Sequence, residues 1–478
     1  MRLDEVISGT PAGARDIEVT GLAYDTRAVM PGMVYFCVPG FTRDGHDYAP
    51  DAIRAGAAAL VVQRPLHLDA PEIVVDCVRQ AMAVAAAAFH GDPSAELAVV
   101  GITGTNGKTT TGFLTRTLLE AAGMPCGLLG TVKRVIGGRE HPVVRTTAEA
   151  IELQRDLRAM RAVGDLACAM EVSSHALELH RVDAVHFAAA VFTNLTQDHL
   201  DFHPTIEAYF DAKRRLFTEG HPGASIVNAD DPYGARLAAE LEHPVTFAVQ
   251  RTATFRARNV ETDIEGSRFE VDTPDGPIAL SSPLRGRFNV YNALGALAVA
   301  HALGVDLQTA AKGLAGAAQV PGRLQPVDAG QEFAVLVDYA HTPDSLQHVL
   351  HAARELTSAR LHVVFGCGGD RDRAKRPLMG AIASRLADRV IVTSDNPRSE
   401  DPEAIIDQIL AGSGREVLSL PDRRAAIAEA IAGAGRGDVV LIAGKGHEQG
   451  QELEGGRTIP FDDVIVARET LQASSLSR

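Results

Sequence analysis

The segment Gly104-Thr105-Asn106-Gly107-Lys108-Thr109-Thr110 places two glycines, a lysine and three hydroxyls between an apolar run, Leu97 to Ile102, and a stretch with helical apolar spacing at Phe113, Leu114, Thr117 and Leu118. Backbone amides at such a strand-to-helix turn can cradle phosphate, Lys108 adds positive charge, and the Thr109 hydroxyl can ligate Mg²⁺. The strict G-x-x-x-x-G-K-[ST] spacing is not met, because position 102 is isoleucine and the nearest glycine is Gly101. The plainer alternative is a glycine-rich turn, but the flanking strand and helix are those the phosphate-binding mechanism requires. Hard divalent cations take oxygen ligands, and Glu171 and the pair Asp198-His199 are further candidates. By itself Glu171 reads equally as a helix-start carboxylate and His199 as a surface histidine among acids.

These residues occupy a recurrent position. In open parallel sheets, ligands bind where loops leave the carboxyl ends of strands. Ala167 to Met170 runs into Glu171-Val172-Ser173-Ser174-His175, and Ala188 to Phe192 into Thr193-Asn194-Leu195-Thr196-Gln197-Asp198-His199. Val335 to Val337 precedes Asp338-Tyr339-Ala340-His341-Thr342-Pro343, and His362 to Phe365 precedes Gly366-Cys367-Gly368-Gly369-Asp370-Arg371. Val390 to Thr393 precedes Ser394-Asp395-Asn396-Pro397-Arg398, and Val439 to Ile442 precedes Ala443-Gly444-Lys445-Gly446-His447-Glu448. With the phosphate loop, seven polar strand-end loops predict two binding edges facing one another across a cleft.

The elements that must carry them are short β-branched runs alternating with alanine- and leucine-rich helical stretches, the pattern of α/β domains with parallel sheets. The 478 residues imply about three folding units. A first unit, 1–95, offers strands at Gly21 to Tyr24, Val34 to Val38 and Ala59 to Val62 and a helix from Gln80 to His90; a second spans 96–322 and ends at Val320-Pro321-Gly322; a third spans 323–478. A 46% apolar and 22% charged composition excludes disordered and fibrous classes. With 46 basic against 61 acidic residues the net charge is −15, which disfavours nucleic acid or an anionic membrane as the main partner. Five scattered cysteines, Cys37, Cys77, Cys126, Cys168 and Cys367, lack C-x-x-C spacing and fit reduced thiols in a cytoplasmic protein. The start, Met1-Arg2-Leu3-Asp4-Glu5, does not read as an export signal, and the longest apolar run, Ala81 to Phe89, is far below the roughly 20 residues of a membrane-spanning helix.

Taken together the motifs resemble the Mur ligase family, cytoplasmic ATP-dependent enzymes that add amino acids to UDP-linked peptidoglycan precursors. The match rests on Thr103 to Thr110, Glu171 to His175, Thr193 to Asp201, Tyr209-Phe210-Asp211-Ala212-Lys213, Asn289-Val290-Tyr291-Asn292, Pro321-Gly322-Arg323 and Asp338-Tyr339-Ala340-His341, in that order along nearly the whole chain. The implied fold is three α/β domains: UDP-binding, central P-loop ATPase with a mostly parallel sheet, and Rossmann-like. Gly366 to Arg371, Asp395 to Arg398 and Gly444 to Glu448 look most like members that add the third residue, and the Asp-Asn-Pro-Arg form like those adding meso-diaminopimelate.

The resemblance implies roles. Gly104, Thr105, Asn106, Gly107, Lys108, Thr109, Thr110, Asn292, Arg323, Asp338 and His341 would bind ATP. Thr26, Arg27, His46, Thr146, Thr147, Ser173 and Arg181 would bind the UDP-linked dipeptide, with Asp25-Thr26-Arg27 standing where many members have Asp-Ser-Arg. Arg371, Asp395, Asn396, Arg398, Gly444 and Glu448 would bind diaminopimelate. Two Mg²⁺ ions are implied, held by Thr109, Glu171, His199 and a carbamylated Lys213, whose ordinary alternative is a solvated lysine beside Arg214 and Arg215. Carbamylation converts a cation into an oxygen ligand suited to a hard metal. The implied activity joins meso-diaminopimelate to the D-glutamate of UDP-MurNAc-L-Ala-D-Glu through an acyl phosphate, in a monomer. Other ligases of the fold, such as folylpolyglutamate synthases and D-alanyl-D-alanine-adding enzymes, are disfavoured by Asp395 to Arg398. A P-loop switch or motor would hydrolyse ATP without these substrates.

Overall fold

The computed structural model describes residues 1–199 and 202–476; Leu200 and Asp201, the last two residues of the Thr193 to Asp201 segment, lie outside the described residues. Three main sheets follow one another along the chain. The first has four parallel strands in sequence order: Gly21–Ala23, Met33–Phe36, Ala59–Val62 and Glu72–Val74. The helix Val78–Phe89 covers one face with Val78, Met82, Ala83, Ala85 and Ala86. Three strands match the sequence expectation. The fourth, Glu72–Val74, was not foreseen, since it is three residues long and buries only Ile73.

The second sheet has eleven strands. Its centre is parallel: Ala98–Thr103 lies between Ala167–Glu171 and Phe187–Phe192, flanked in turn by Cys126–Leu129 and Ser225–Asn228. The inner strands are near-continuous apolar runs because helices cover both faces. The margins are antiparallel. Ser267–Thr273 and Gly276–Ser282 alternate buried and exposed residues, as expected of a hairpin packed on one side only. The helix Arg287–Ala302 is apolar on nearly every face and buried throughout its middle, and it packs in the same core as the helix that starts at Lys108.

The third sheet runs Gln325–Pro326, Ala334–Asp338, Val439–Ala443, Leu361–Phe365, Arg389–Val392, Leu418–Ser419, parallel except for the first pair. The strand latest in sequence, Val439–Ala443, lies between two earlier ones, which sets the strand-end loops on either side of it apart. Among the described residues no helix is long and apolar enough to cross a membrane.

One buried ion pair ties the ends of two of these strands. The Arg423 guanidinium and the Asp463 carboxylate are both fully buried, with Nε to Oδ1 at 2.8 Å and Nη2 to Oδ2 at 2.7 Å. Arg423 also donates to the carbonyls of Ser394 (3.4 Å) and Ala443 (2.9 Å), the residues that begin the Asp395 and Gly444 loops. Removing one partner strands the other charge in the interior, at a cost of about 3 to 5 kcal/mol. Arg423→Ala is therefore expected to lower the unfolding midpoint by several degrees in differential scanning calorimetry, and the double change Arg423→Met with Asp463→Leu to recover most of it. An unshifted midpoint in Arg423→Ala would contradict the assignment.

Candidate active site

The phosphate loop is shaped by close approach. Gly104 has φ +143°, and a Cβ there would lie 1.9 Å from Thr193 Oγ1; at Gly107, φ +88°, it would lie 2.4 Å from Asn292 Oδ1. Only glycine fits either place. Residues Thr193 to Thr196 brace the loop from the neighbouring strand: Thr193 Oγ1 donates to the Asn106 carbonyl (2.6 Å), the Asn106 amide donates to Asn194 Oδ1 (2.9 Å), and the Thr105 amide donates to the Asn194 carbonyl (2.9 Å). Asn292 arrives from the buried helix and accepts from Thr111 Oγ1 at 3.3 Å. The helix Lys108–Ala121 then starts at the loop, its first amides directed to the same opening.

Two ammonium groups meet at this loop. Lys108 Nζ donates to the carbonyls of Gly104 (2.8 Å) and Thr105 (2.9 Å), and Lys213 Nζ donates to the same Gly104 carbonyl (3.0 Å). Lys213 is 1% exposed and makes no ion pair among the described residues; its Nζ lies 4.5 Å from the centre of the Tyr209 ring. Burial first, and then the neighbouring Lys108 charge, hold its amine well below the ordinary lysine range. The expectation of a lysine set among metal ligands thus meets a buried amine rather than a solvated one.

Glu171 is the complementary feature. It is 2% exposed, accepts from Thr109 Oγ1 (3.0 Å), the Thr131 amide (2.8 Å) and Thr131 Oγ1 (3.0 Å), and is paired with no cationic side chain among the described residues. Arg323, stacked over the Tyr339 ring at 4.7 Å, donates to Thr109 Oγ1 at 3.2 Å from the far side. The Glu171 carboxylate, buried and unpaired with a cationic side chain among the described residues, and the Thr109 hydroxyl form an oxygen donor set that suits a hard divalent metal. His199 has φ +54° and faces His175 edge-on at 4.9 Å. Burial, aided by Lys108 and His175 and opposed by Asp198, pushes its imidazole down to about 4, which leaves it neutral and able to ligate. No three His, Cys, Asp or Glu side chains among the described residues are grouped to hold a metal by themselves; the donors gathered here include a hydroxyl and an amine.

Asp338 sets the linker that carries Arg323. Its Oδ2 accepts from the Leu324 amide and its Oδ1 from the Ala340 amide, both at 2.8 Å, and burial raises its pKa against the pull of Arg323. His341 rings Tyr339 at 4.6 Å. From the same stretch Asp344, which sequence reasoning passed over although it follows Pro343 directly, accepts from Asn106 Nδ2 (3.1 Å) and Thr196 Oγ1 (2.7 Å) and so fastens the third sheet's unit to the phosphate loop.

Residues 105–110, Glu171, His199, Lys213, Asn292, Arg323, Asp338 and His341 line one cavity of about 1070 Å³ between the second and third sheets' strand ends, together with Thr146, Thr147, Ser173 and Arg181. Thr147 Oγ1 donates to the Glu171 carbonyl (2.8 Å), the Ser173 amide donates to Thr147 Oγ1 (3.1 Å), and Thr146 Oγ1 lies 3.0 Å from Thr131 Oγ1. Thr26, Arg27 and His46 do not line it. Arg27 pairs with Asp25 at 2.5 Å, and His46 is buried with Nδ1 on Asp44 (2.6 Å) and Nε2 accepting from the Gln63 amide (2.9 Å).

Of the third sheet's loops, only those carrying Asp338 to Ser345 and Arg371 reach the cavity. The remaining expected residues gather elsewhere. Asn396 Nδ2 donates to Glu448 Oε2 (2.8 Å), and the fully buried Lys445 Nζ bonds Asn396 Oδ1 (2.8 Å) and Glu448 Oε2 (3.1 Å). A Cβ on Gly444 would lie 2.6 Å from Asp395 Oδ2, so these two loops touch. Arg398 has φ +53°, donates from Nη1 to the Gly369 carbonyl (2.8 Å) and pairs through Nε with Glu452 (2.6 Å). The nearby Glu400 is taken by Arg376 and Arg373, so Arg398 is not held as its counter-charge.

Comparison with known proteins accords with this geometry. Three family models match in succession: "Mur ligase family, catalytic domain" over residues 18–106, "Mur ligase middle domain" over 102–300 and "Mur ligase, glutamate ligase domain" over 322–446. The chain is 46% identical over 467 residues to the UDP-N-acetylmuramoyl-L-alanyl-D-glutamate–2,6-diaminopimelate ligase of Geobacillus thermodenitrificans, covering 95% of each, and 47% identical over 480 residues to that of Streptomyces coelicolor, covering 97% of this chain and 94% of the other. Among solved structures, one of a ligase with that name is 33% identical with a TM-score of 0.74 over 99% of both chains. The MurF ligase from Thermotoga maritima in complex with ADP shares the fold, at 18% identity with a TM-score of 0.64 over 97% of this chain and 99% of the other. With nearly the full length matched at this identity and the phosphate loop, Glu171 and Arg323 meeting in one cavity, the chain belongs to the Mur ligase family.

Proposed function

We propose that this protein is an ATP-dependent acid–D-amino-acid ligase that joins meso-diaminopimelate to the D-glutamate side chain of UDP-MurNAc-L-Ala-D-Glu, as a cytoplasmic monomer in peptidoglycan precursor synthesis. Its domains are taken as 1–95 for UDP, 96–322 for ATP and 323–478 for the incoming amino acid. The observation that carries the reading is the continuity of the cavity: Glu171 touches the phosphate-loop hydroxyl of Thr109 through its carboxylate and Thr147 of the peptide-side wall through its backbone carbonyl.

A carboxylate has no leaving group, so amide formation in water requires activation. The γ-phosphoryl group passes to a carboxylate oxygen, giving an acyl phosphate and ADP; the amine then attacks the acyl carbon and inorganic phosphate departs. The protein must bring two anions together. Lys108 supplies charge to the transferring group, the amides of residues 104–110 hold the remaining phosphates, and Arg323 approaches from the third sheet's unit. Closure of that unit, fastened by Asp344, excludes water from the acyl phosphate. Thr109 and Glu171 would hold one Mg²⁺, and Glu171, His199 and a carbamate on Lys213 a second; such ions offset charge between phosphate and carboxylate. Burial, which lowers the pKa of Lys213, favours the neutral amine to which CO₂ adds.

Purified protein given the UDP-linked dipeptide, ATP, Mg²⁺ and meso-diaminopimelate is expected to release ADP and phosphate in equal amounts to the amide formed, measured by coupled assay and chromatography. AMP and pyrophosphate would contradict the scheme. Lys108→Ala is expected to lower kcat by at least about 100-fold, since a charge aimed at transferring phosphate acts in the transition state.

Lys213→Ala is expected to be nearly inactive, with partial recovery on adding a short carboxylic acid. Full activity in Lys213→Arg would overturn the carbamate, because arginine keeps a cation and forms no such ligand.

The loops at Asp395 to Arg398, Gly444 to Glu448 and Arg371 are assigned to diaminopimelate, whose second carboxylate a guanidinium can take through two parallel hydrogen bonds. Lysine, which lacks that carboxylate, is expected to be a poorer acceptor by on the order of 10⁴-fold. Arg398→Ala is expected to lower kcat/KM for diaminopimelate by about 100-fold with little effect on ATP. Efficient use of lysine, or undiminished discrimination in the variant, would place the selectivity in other residues.

A further inference from the structure

The turn from Asp395 to Arg398 is moulded by a short strand that follows the Gly444 loop. Gly450–Glu452 pairs antiparallel with Thr458–Pro460 in a two-stranded sheet apart from the three main ones. Its last two residues bond the turn step by step. Gln451 Nε2 donates to the Asp395 carbonyl (2.6 Å) and to Ser394 Oγ (3.3 Å), the Glu452 amide donates to Asn396 Oδ1 (3.0 Å), and the Arg398 amide donates to the Glu452 carbonyl (3.2 Å). The Glu452 carboxylate then takes Arg398 Nε at 2.6 Å, while Arg398 Nη1 donates to the Gly369 carbonyl at 2.8 Å.

Arg398 is thus held from two sides. Its φ of +53° is a left-handed conformation that is unfavourable for a bulky residue and persists only where the surroundings enforce it. A guanidinium carries five N–H donors. The Nε hydrogen goes to Glu452 and one Nη1 hydrogen to Gly369, while among the described residues Nη2 bonds nothing. The donors left over include one N–H on each terminal nitrogen, an end-on fork that matches the two oxygens of a carboxylate. The side chains of Arg398 and Glu452 are 23% and 49% exposed, and an ion pair so open to water adds little to stability. What Glu452 contributes is the direction of the guanidinium.

We propose that Glu452 is a positioning residue for amino-acid selection: by holding the Nε edge of Arg398, it turns the end-on fork of that guanidinium toward the second carboxylate of the incoming amino acid. The inference deepens the assignment of these loops to diaminopimelate and rests on it. Glu452 touches no reacting atom and acts through Arg398. Without it Arg398 keeps one side-chain bond, to Gly369, about which the guanidinium can turn, and the amino acid must then order it on binding. An acceptor without a second carboxylate makes no use of the fork, so Glu452 matters to diaminopimelate and not to lysine. The opposite role, a carboxylate that competes with the amino acid for Arg398, predicts an effect of opposite sign.

Steady-state kinetics of the full-length protein with UDP-MurNAc-L-Ala-D-Glu, ATP and Mg²⁺ would be measured with meso-diaminopimelate and with lysine as acceptors. Glu452→Ala is expected to lower kcat/KM for diaminopimelate about 10-fold, chiefly through KM, with little change for lysine, in the KM for ATP or in the thermal midpoint. Glu452→Gln, which keeps an oxygen for Nε, is expected to recover most of the loss. In an Arg398→Ala background the further change Glu452→Ala is expected to cost less than about twofold, because a residue that acts through Arg398 then has nothing to position. Unchanged kinetics in Glu452→Ala, or equal losses in the two backgrounds, would overturn the proposal. A gain in diaminopimelate affinity would overturn it by making Glu452 a competitor, and a loss shared equally by both acceptors with a lowered midpoint by making the pair structural. If the unmodified protein showed no preference for diaminopimelate, the assignment of the loops would fall and this inference with it; an intact preference with Glu452 silent would remove the inference alone.

Discussion

The carbonyl oxygen of Gly104 receives two ammonium groups, and much of the site follows from what that requires. A residue at φ +143° pressed against Thr193 must be glycine, and its carbonyl must point to where Lys108 and Lys213 converge. Both lysines lose solvation there, and the charge they would carry is opposed by burial and by each other. The chain gathers charge ahead of need: cationic groups on one side of Thr109, the unpaired carboxylate of Glu171 on the other. Anionic phosphates with their cations would balance such an arrangement, as expected of a site that favours a highly charged reacting state.

The second constraint is that no single sheet supplies the site. Arg323 reaches Thr109 over 214 residues of sequence, and Asp344 reaches Asn106 over 238 and Thr196 over 148. Arg323 comes from the linker ahead of the third sheet and Asp344 from the first turn of the helix Pro343–Glu355, and Asp338 fixes the linker by binding the amides of Leu324 and Ala340. Besides these hydrogen bonds, Phe288 of the second unit packs against the third unit's apolar core, so the two units meet at this edge through both kinds of contact.

The central strands could be read in the sequence because strands buried on both faces are apolar runs ending in glycine-rich loops, so that Ala98–Thr103, Ala167–Glu171 and Leu361–Phe365 announce themselves. Glu72–Val74 did not, having one buried residue and no periodicity to detect. The phosphate loop could be read from residue type and order, Glu171 only as one of two equal readings and Arg323 only through the family resemblance. Tertiary partners were not: Thr131 on Glu171 and Asp344 on Asn106 are ordinary polar residues until the fold brings distant segments together. The expected amino-acid-binding residues fall into two places, Arg371 on the cavity and Asn396, Gly444 and Glu448 in a cluster knit by the buried Lys445, a residue whose neighbours no spacing rule could supply.

The account turns on the order of bond-making: carboxylate oxygen to phosphorus first, amine to carbon second. Transfer of ¹⁸O tests this directly. UDP-linked dipeptide labelled in the side-chain carboxylate of its D-glutamate, turned over with ATP and meso-diaminopimelate, should yield inorganic phosphate carrying one labelled oxygen for each amide formed, detected by ³¹P NMR or mass spectrometry. Phosphate free of label, with amide still produced, would mean that the carboxylate is never phosphorylated and would contradict the account.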